Sequence, residues 1–196
     1  YSSLMQLAYD NVIHNVALQG WHVVMCLDRG GLVGEDGVTH HGVFDMAAFG
    51  AVPGLTIAAP MNEPELRNMM YTALGSGHPF MIRYPRGHGE GLPWRGEKFE
   101  TLPVGRGRRL REGADVALLT VGTVGNAAAR AAGRAAAEGV SVAHYDLRFV
   151  KPLDEALLDE VGRKFRRVVT VEDGSLRGGV GEAGAACFKG RGYDVR

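Results

Sequence analysis

Apolar residues recur at Leu4, Met5, Ala8, Val12, Val16 and Ala17, the spacing of one helix face. This predicts a helix over 1–19, with Ser2 and Ser3 as candidate caps and Gly20 as its stop. Val23–Leu27 is an apolar run without alternation, which predicts a strand covered on both faces, as in parallel sheets. Leu55–Ala59 and Phe80–Tyr84 read the same way, each closed by a proline. Phe44–Phe49 predicts a short helix, and Asn62 caps a helix running to about Leu74 with Pro64 in its first turn. After a Gly-, Pro- and Arg-rich stretch over 86–113, strands at Val116–Val121, Val140–Tyr145 and Val168–Glu172 alternate with helices at Asn126–Ala137 and Leu153–Lys164. A last helix opens at Gly178–Gly181, and Tyr193–Val195 reads as the start of another strand.

Strand–helix alternation predicts an α/β fold of two domains with mainly parallel sheets flanked by helices. The linker stretch places them at 1–100 and 101–196. Hydrophobic residues at 45% and charged residues at 22% fit a globular chain and exclude a disordered one. Lys+Arg and Asp+Glu balance at 22 each, which argues against a nucleic-acid binder. The basic cluster Arg106–Arg111 therefore reads as a solvated linker or hairpin face. No apolar run approaches the ~20 residues of a membrane span, and no signal-peptide pattern opens the chain. Cys26 and Cys187 match no metal or redox spacing and read as buried free thiols of a cytoplasmic protein.

Candidate chemistry concentrates in Asp28–Gly42, just past the end of a predicted buried strand, where open α/β sheets bind ligands. Arginine, carboxylates and histidines stand there among glycines, residues that let a backbone approach a ligand closely. A second strand ends in Arg83-Tyr84-Pro85-Arg86-Gly87. An arginine there can fork onto a phosphate or carboxylate, or form a salt bridge to Asp28 or Glu35. Strand alternation means Arg83 and the following segment need not share a role. The glycines at 122–125 and 178–181 open helices and read either as tight turns or as phosphate seats.

Tyr1-Ser2-Ser3, Ala8-Tyr9-Asp10, Asp28–Gly42, Arg83–Gly87 and Arg148–Asp154 together resemble the 1-deoxy-D-xylulose-5-phosphate synthase family of the transketolase superfamily. The resemblance covers nearly the whole chain. It implies a transketolase-like fold and a reaction in which pyruvate loses carbon dioxide and joins D-glyceraldehyde 3-phosphate, with thiamine diphosphate and Mg2+ as cofactors. It implies that Arg29 and Arg86 hold the acceptor's phosphate and that Tyr1 lies near the same substrate. Asp36 and His40 correspond to the catalytic polar pair at the carbonyls. Leu4 and Leu7 stand where the family has Phe and Arg; Leu4 keeps an apolar contact for the pyrimidine ring without its aromatic stacking.

The family's diphosphate domain and Gly-Asp-Gly magnesium motif are expected upstream of Tyr1. Asp36-Gly37 with Asn62 mimics that motif, but no metal ligand is assigned. The expectation is a segment, cut at both ends, of a homodimeric cytoplasmic enzyme, which alone neither binds the cofactor tightly nor turns over. Two other readings stay open: a transketolase or 2-oxo acid dehydrogenase β chain, and a non-catalytic α/β binding module.

Overall fold

The computed structural model describes residues 1–196. Its strands are β1 (Val24–Leu27), β2 (Thr56–Ala58), β3 (Phe80–Arg83), β4 (Arg108–Arg111), β5 (Val116–Thr120), β6 (Val142–Asp146), β7 (Phe149–Lys151) and β8 (Val168–Val171). Its α-helices are α1 (Tyr9–Asn11), α2 (Asp45–Gly50), α3 (Glu63–Leu74), α4 (Val124–Ala137), α5 (Glu155–Lys164) and α6 (Val180–Gly190). Two four-stranded sheets form, ordered β1-β3-β2-β7 and β4-β6-β5-β8. The pairs β1/β3, β2/β3, β5/β6 and β5/β8 are parallel, as the apolar runs predict. The edge pairs β2/β7 and β4/β6 are antiparallel. No helix is long and apolar enough to cross a membrane.

Local chemistry explains the helix boundaries. Asn62 Oδ1 accepts the Glu65 amide at 3.1 Å, and the chain turns at Gly75. Asp154 does the same for α5, accepting the Leu157 amide at 3.0 Å. In α4 the buried residues are Gly125, Ala128 and Ala132, small enough for the helix to lie close on its sheet. The α3 face carries Met69 and Ala73 into a cluster with Phe80, Ile82 and Phe149. Each large apolar side chain buried there contributes about 1.5–3 kcal/mol.

The two halves share a core. Met46 and Ala59 from the first pack with Leu119, Val121 and Val180 of the second. An ionic tie runs beside it: Arg148 grips Glu65 of α3 at 2.8 and 2.9 Å. Arg108 bridges Glu65 at 2.9 Å and Asp146 at 3.1 Å. The Arg106–Arg111 cluster is thus largely ion-paired, with Arg106 on Asp154 and Arg109 on Glu112 and Glu160.

Several expectations are corrected. The first helix is irregular, with 3-10 geometry over Ser3–Ala8 and π geometry over Val12–Ala17 flanking α1. Neither serine caps it; the Ser2 hydroxyl donates instead to Asp45 at 2.8 Å. Strand β1 is an edge, so Cys26 is exposed rather than buried, and Cys187 is half-buried. Strand β7 returns from the second half to the first sheet, a pairing that three residues carry no periodic signal for. Tyr193–Val195 forms no strand, although Arg196 exchanges backbone bonds with Arg166 and Val168 at 2.8 and 3.0 Å.

Candidate functional site

Strands β1 and β3 run parallel in register, Leu27 opposite Arg83, so their C-terminal ends deliver Asp28–Gly42 and Tyr84–Gly87 to one place. The Gly30 amide donates to the Tyr84 carbonyl at 2.9 Å, continuing the pairing past the strands. Gly31 and Gly42 then exchange two backbone bonds of 2.8 Å, which closes the loop on itself. Within it lie two 3-10 turns, Gly34–Asp36 and Val38–His40.

Arg29 has φ of 60°, a conformation that costs an L-residue about 1–2 kcal/mol and that surrounding bonds must hold. Its Nε donates to Asp36 at 2.9 Å and its Nη1 to Asp28. Its guanidinium also lies 3.9 Å from the Tyr1 ring centre. Burial opposes the Arg29 charge, but the bonds to Asp36 and Asp28 outweigh it and raise its pKa. Arg86 approaches the same Asp36 carboxylate at 3.4 Å and Glu35 at 3.5 Å. The Tyr1 ring meets His40 edge-on at 5.5 Å. His40 Nδ1 is 3.0 Å from Thr39 Oγ1, and Nε2 makes no hydrogen bond within the chain.

Tyr1, Arg29, Asp36, His40 and Arg86 therefore form one cluster. Leu4 lies in the 3–8 turn, which packs against the 38–40 turn, and is half exposed; Leu7 is 86% exposed. His41 has a structural role, its Nδ1 accepting the Val33 amide at 3.1 Å. The 196 residues hold no group of three His, Cys, Asp or Glu side chains close enough to bind a metal ion.

Arg83 is separated from Arg86, as strand alternation allows. It is 3% exposed and donates to Asp45 at 2.8 Å and Asp173 at 2.6 Å. Burial works against its charge, yet attraction to those two carboxylates raises its pKa. Neither Asp45 nor Asp173 was singled out in the sequence, where Asp45 is a lone carboxylate after Phe44 and Asp173 the second of two after Val171. The glycines at 178–181 are also accounted for: the Glu172 carboxylate accepts the Val180 and Gly181 amides at 2.9 Å each, occupying that helix start. At 122–125 the chain makes a turn with Gly122 at φ 77°, and Asn126 donates to the Met61 carbonyl at 2.7 Å.

Comparison with known proteins places both halves of the chain in one family. The signature "Transketolase, pyrimidine binding domain" matches residues 1–90, and "Transketolase, C-terminal domain" matches residues 105–195. A 1-deoxy-D-xylulose-5-phosphate synthase from Bacteroides fragilis is 59% identical over 98% of this chain and 30% of its own length. One from Bacteroides thetaiotaomicron is 60% identical over 93% of this chain and 28% of its own length. The chain thus spans about 30% of these curated relatives. Among solved structures, "Split gene transketolase, inactive beta4 tetramer" superposes with a TM-score of 0.86 at 26% identity, covering 98% of this chain and 62% of its own. The chain belongs to the transketolase family, where its curated relatives are 1-deoxy-D-xylulose-5-phosphate synthases.

Proposed function

We propose that these residues are the acceptor-binding part of a longer thiamine-diphosphate-dependent synthase. It condenses pyruvate with D-glyceraldehyde 3-phosphate to 1-deoxy-D-xylulose 5-phosphate and carbon dioxide. The observation that carries this is the convergence of Arg29 and Arg86, from two separate segments, on one carboxylate, Asp36. Two guanidinium groups that close around a carboxylate can equally close around a phosphate dianion. The similarity to the synthases supports the same reaction.

Leu4 offers an apolar contact for the pyrimidine ring, and residues 1–196 hold no group of three His, Cys, Asp or Glu side chains that fits a metal ion. The contact these residues offer the cofactor is thus at its ring end. Thiamine diphosphate, when bound, supplies the electron sink for decarboxylating pyruvate. This chain's own residues do the rest of the positioning. Arg29 and Arg86 hold the acceptor's phosphate, and Tyr1 fixes the Arg29 guanidinium through its ring face. Asp36 orients the arginines. His40 Nε2 hands a proton to the acceptor's carbonyl oxygen as the new carbon–carbon bond forms there.

The division at 1–100 and 101–196, a homodimer and a cytoplasmic location belong to the same reading. Exposed Leu7, Leu32, Val38 and Leu176 support association. Residues 1–196 alone are expected not to turn over, in line with the word "inactive" in the name of the structural neighbour. The test is product analysis. The full-length protein with thiamine diphosphate and Mg2+ is expected to form deoxyxylulose phosphate from pyruvate and D-glyceraldehyde 3-phosphate. Acyl transfer to a lipoyl group, or ketol transfer from a ketose phosphate, with no deoxyxylulose phosphate formed, would refute it.

A further inference from the structure

We propose that Asp173 is a positioning residue that sets the 28–42 loop from the other half of the chain. Asp173 lies two residues past the end of β8 and reaches Arg83 Nη1 at 2.6 Å. Its carboxylate also fills the space above Gly31, since a Cβ built there would lie 2.2 Å from Asp173 Oδ2. Gly31 has φ of +84° and is bonded to Gly42 in both directions. Arg83 Nη2 donates to the Gly42 carbonyl at 3.3 Å, so Arg83 and Asp173 grip both strands of the loop's neck. Gly30 is equally close, its absent Cβ 2.9 Å from the Arg83 guanidinium. Two residues on, the Ser175 amide donates to the Val43 carbonyl at 2.8 Å, so this segment follows the loop's exit as well.

The neck thus has glycine where a side chain would collide with this pair, and Arg29, Asp36 and His40 all hang from it. Asp173 makes no hydrogen bond or ion pair with any of those three. Its substitution acts on them only through the loop's placement. With Asp173→Asn the side chain keeps its shape, but Arg83 retains a single carboxylate, Asp45.

That the loop binds substrate rests on the function proposed above; that Asp173 places it does not. The test uses the full-length protein and two readouts. By hydrogen exchange, Asp173→Asn is expected to raise exchange of amides 30–42 about tenfold while the β5 and β6 amides stay unchanged. By kinetics, it is expected to raise the KM for D-glyceraldehyde 3-phosphate about tenfold, as loss of one charge-assisted bond does, with the KM for pyruvate within twofold of the parent. Asp173→Ser replaces it should the Asn variant not fold. Unchanged exchange at 30–42 would overturn the proposal whatever the kinetics. So would raised exchange with an unaltered acceptor KM while Arg29→Ala raises that KM. If exchange rises and neither Arg29→Ala nor Asp173→Asn alters the KM, Asp173 still places the loop and the acceptor-binding reading falls.

Discussion

Asp146 ends β6, is fully buried and faces the ionic tie between the two halves. Burial pushes its pKa from 3.8 up to about 6, opposed by Arg108 and Arg148 and reinforced by Glu65. The folded protein therefore binds a proton at Asp146 more tightly than the unfolded chain does. Between pH 3.8 and about 6 the folded state holds the proton and the unfolded state has lost it. Stability from this group is fully present below pH 3.8 and is lost as the pH rises through about 6. A rise of roughly two pH units corresponds to about 3 kcal/mol. Asp146→Asn removes the titration and keeps the shape. Urea unfolding, followed by circular dichroism at intervals from pH 3 to pH 8, gives the difference in stability between the parent and Asp146→Asn. The other titrating groups are common to both proteins. That difference is expected to move against the parent by about 3 kcal/mol across the interval and to level off above pH 7. A difference that stays constant, or that moves in the parent's favour, would show that the Arg108 pair compensates the buried carboxylate and would refute the reasoning.

Other perturbations test other links. Glu65→Ala leaves Arg148 and Arg108 without their shared carboxylate and is expected to cost about 3–5 kcal/mol by urea unfolding. Phe149→Ala empties a fully buried position between Phe80 and Ile82, at an expected cost of about 3–5 kcal/mol in the same measurement. Leu4→Phe restores an aromatic ring and is expected to lower the thiamine diphosphate requirement of the full-length protein by about 2–10-fold in a cofactor titration. An aqueous thiol reagent is expected to label exposed Cys26 before half-buried Cys187, as peptide mapping would show.

Much of this architecture is readable along the chain because its signals are local. Asn62 and Pro64 announce α3, and the apolar runs ending in Asp28 and Arg83 announce β1 and β3. Glycine density singles out the loop between them. What sequence hides is pairing at a distance. Strand β7 is three residues long and joins a sheet whose other strands lie far upstream. The exposure of Cys26 follows from strand order, which no run of apolar residues encodes. Strand alternation allows Arg83 and Arg86 to part, but does not say which carboxylates each meets: one is buried between Asp45 and Asp173 and the other stands at the loop. Asp173 carries no mark of its own, because its partner lies in the other half of the chain.

The central claim is that Arg29 and Arg86 hold a phosphate. It is tested most directly by comparing D-glyceraldehyde 3-phosphate with unphosphorylated D-glyceraldehyde as acceptors for the full-length protein and its Arg29→Ala and Arg86→Ala variants. Arg29 is the more enclosed of the two, so its loss is expected to lower kcat/KM for the phosphorylated acceptor by ~2–5 kcal/mol, roughly 30-fold or more. Arg86, more open to water, is expected to cost ~1–2 kcal/mol. Neither variant is expected to change kcat/KM for D-glyceraldehyde by more than about twofold, because that acceptor lacks the group they hold. Equal losses with both acceptors would contradict the account and return the two arginines to a purely structural role.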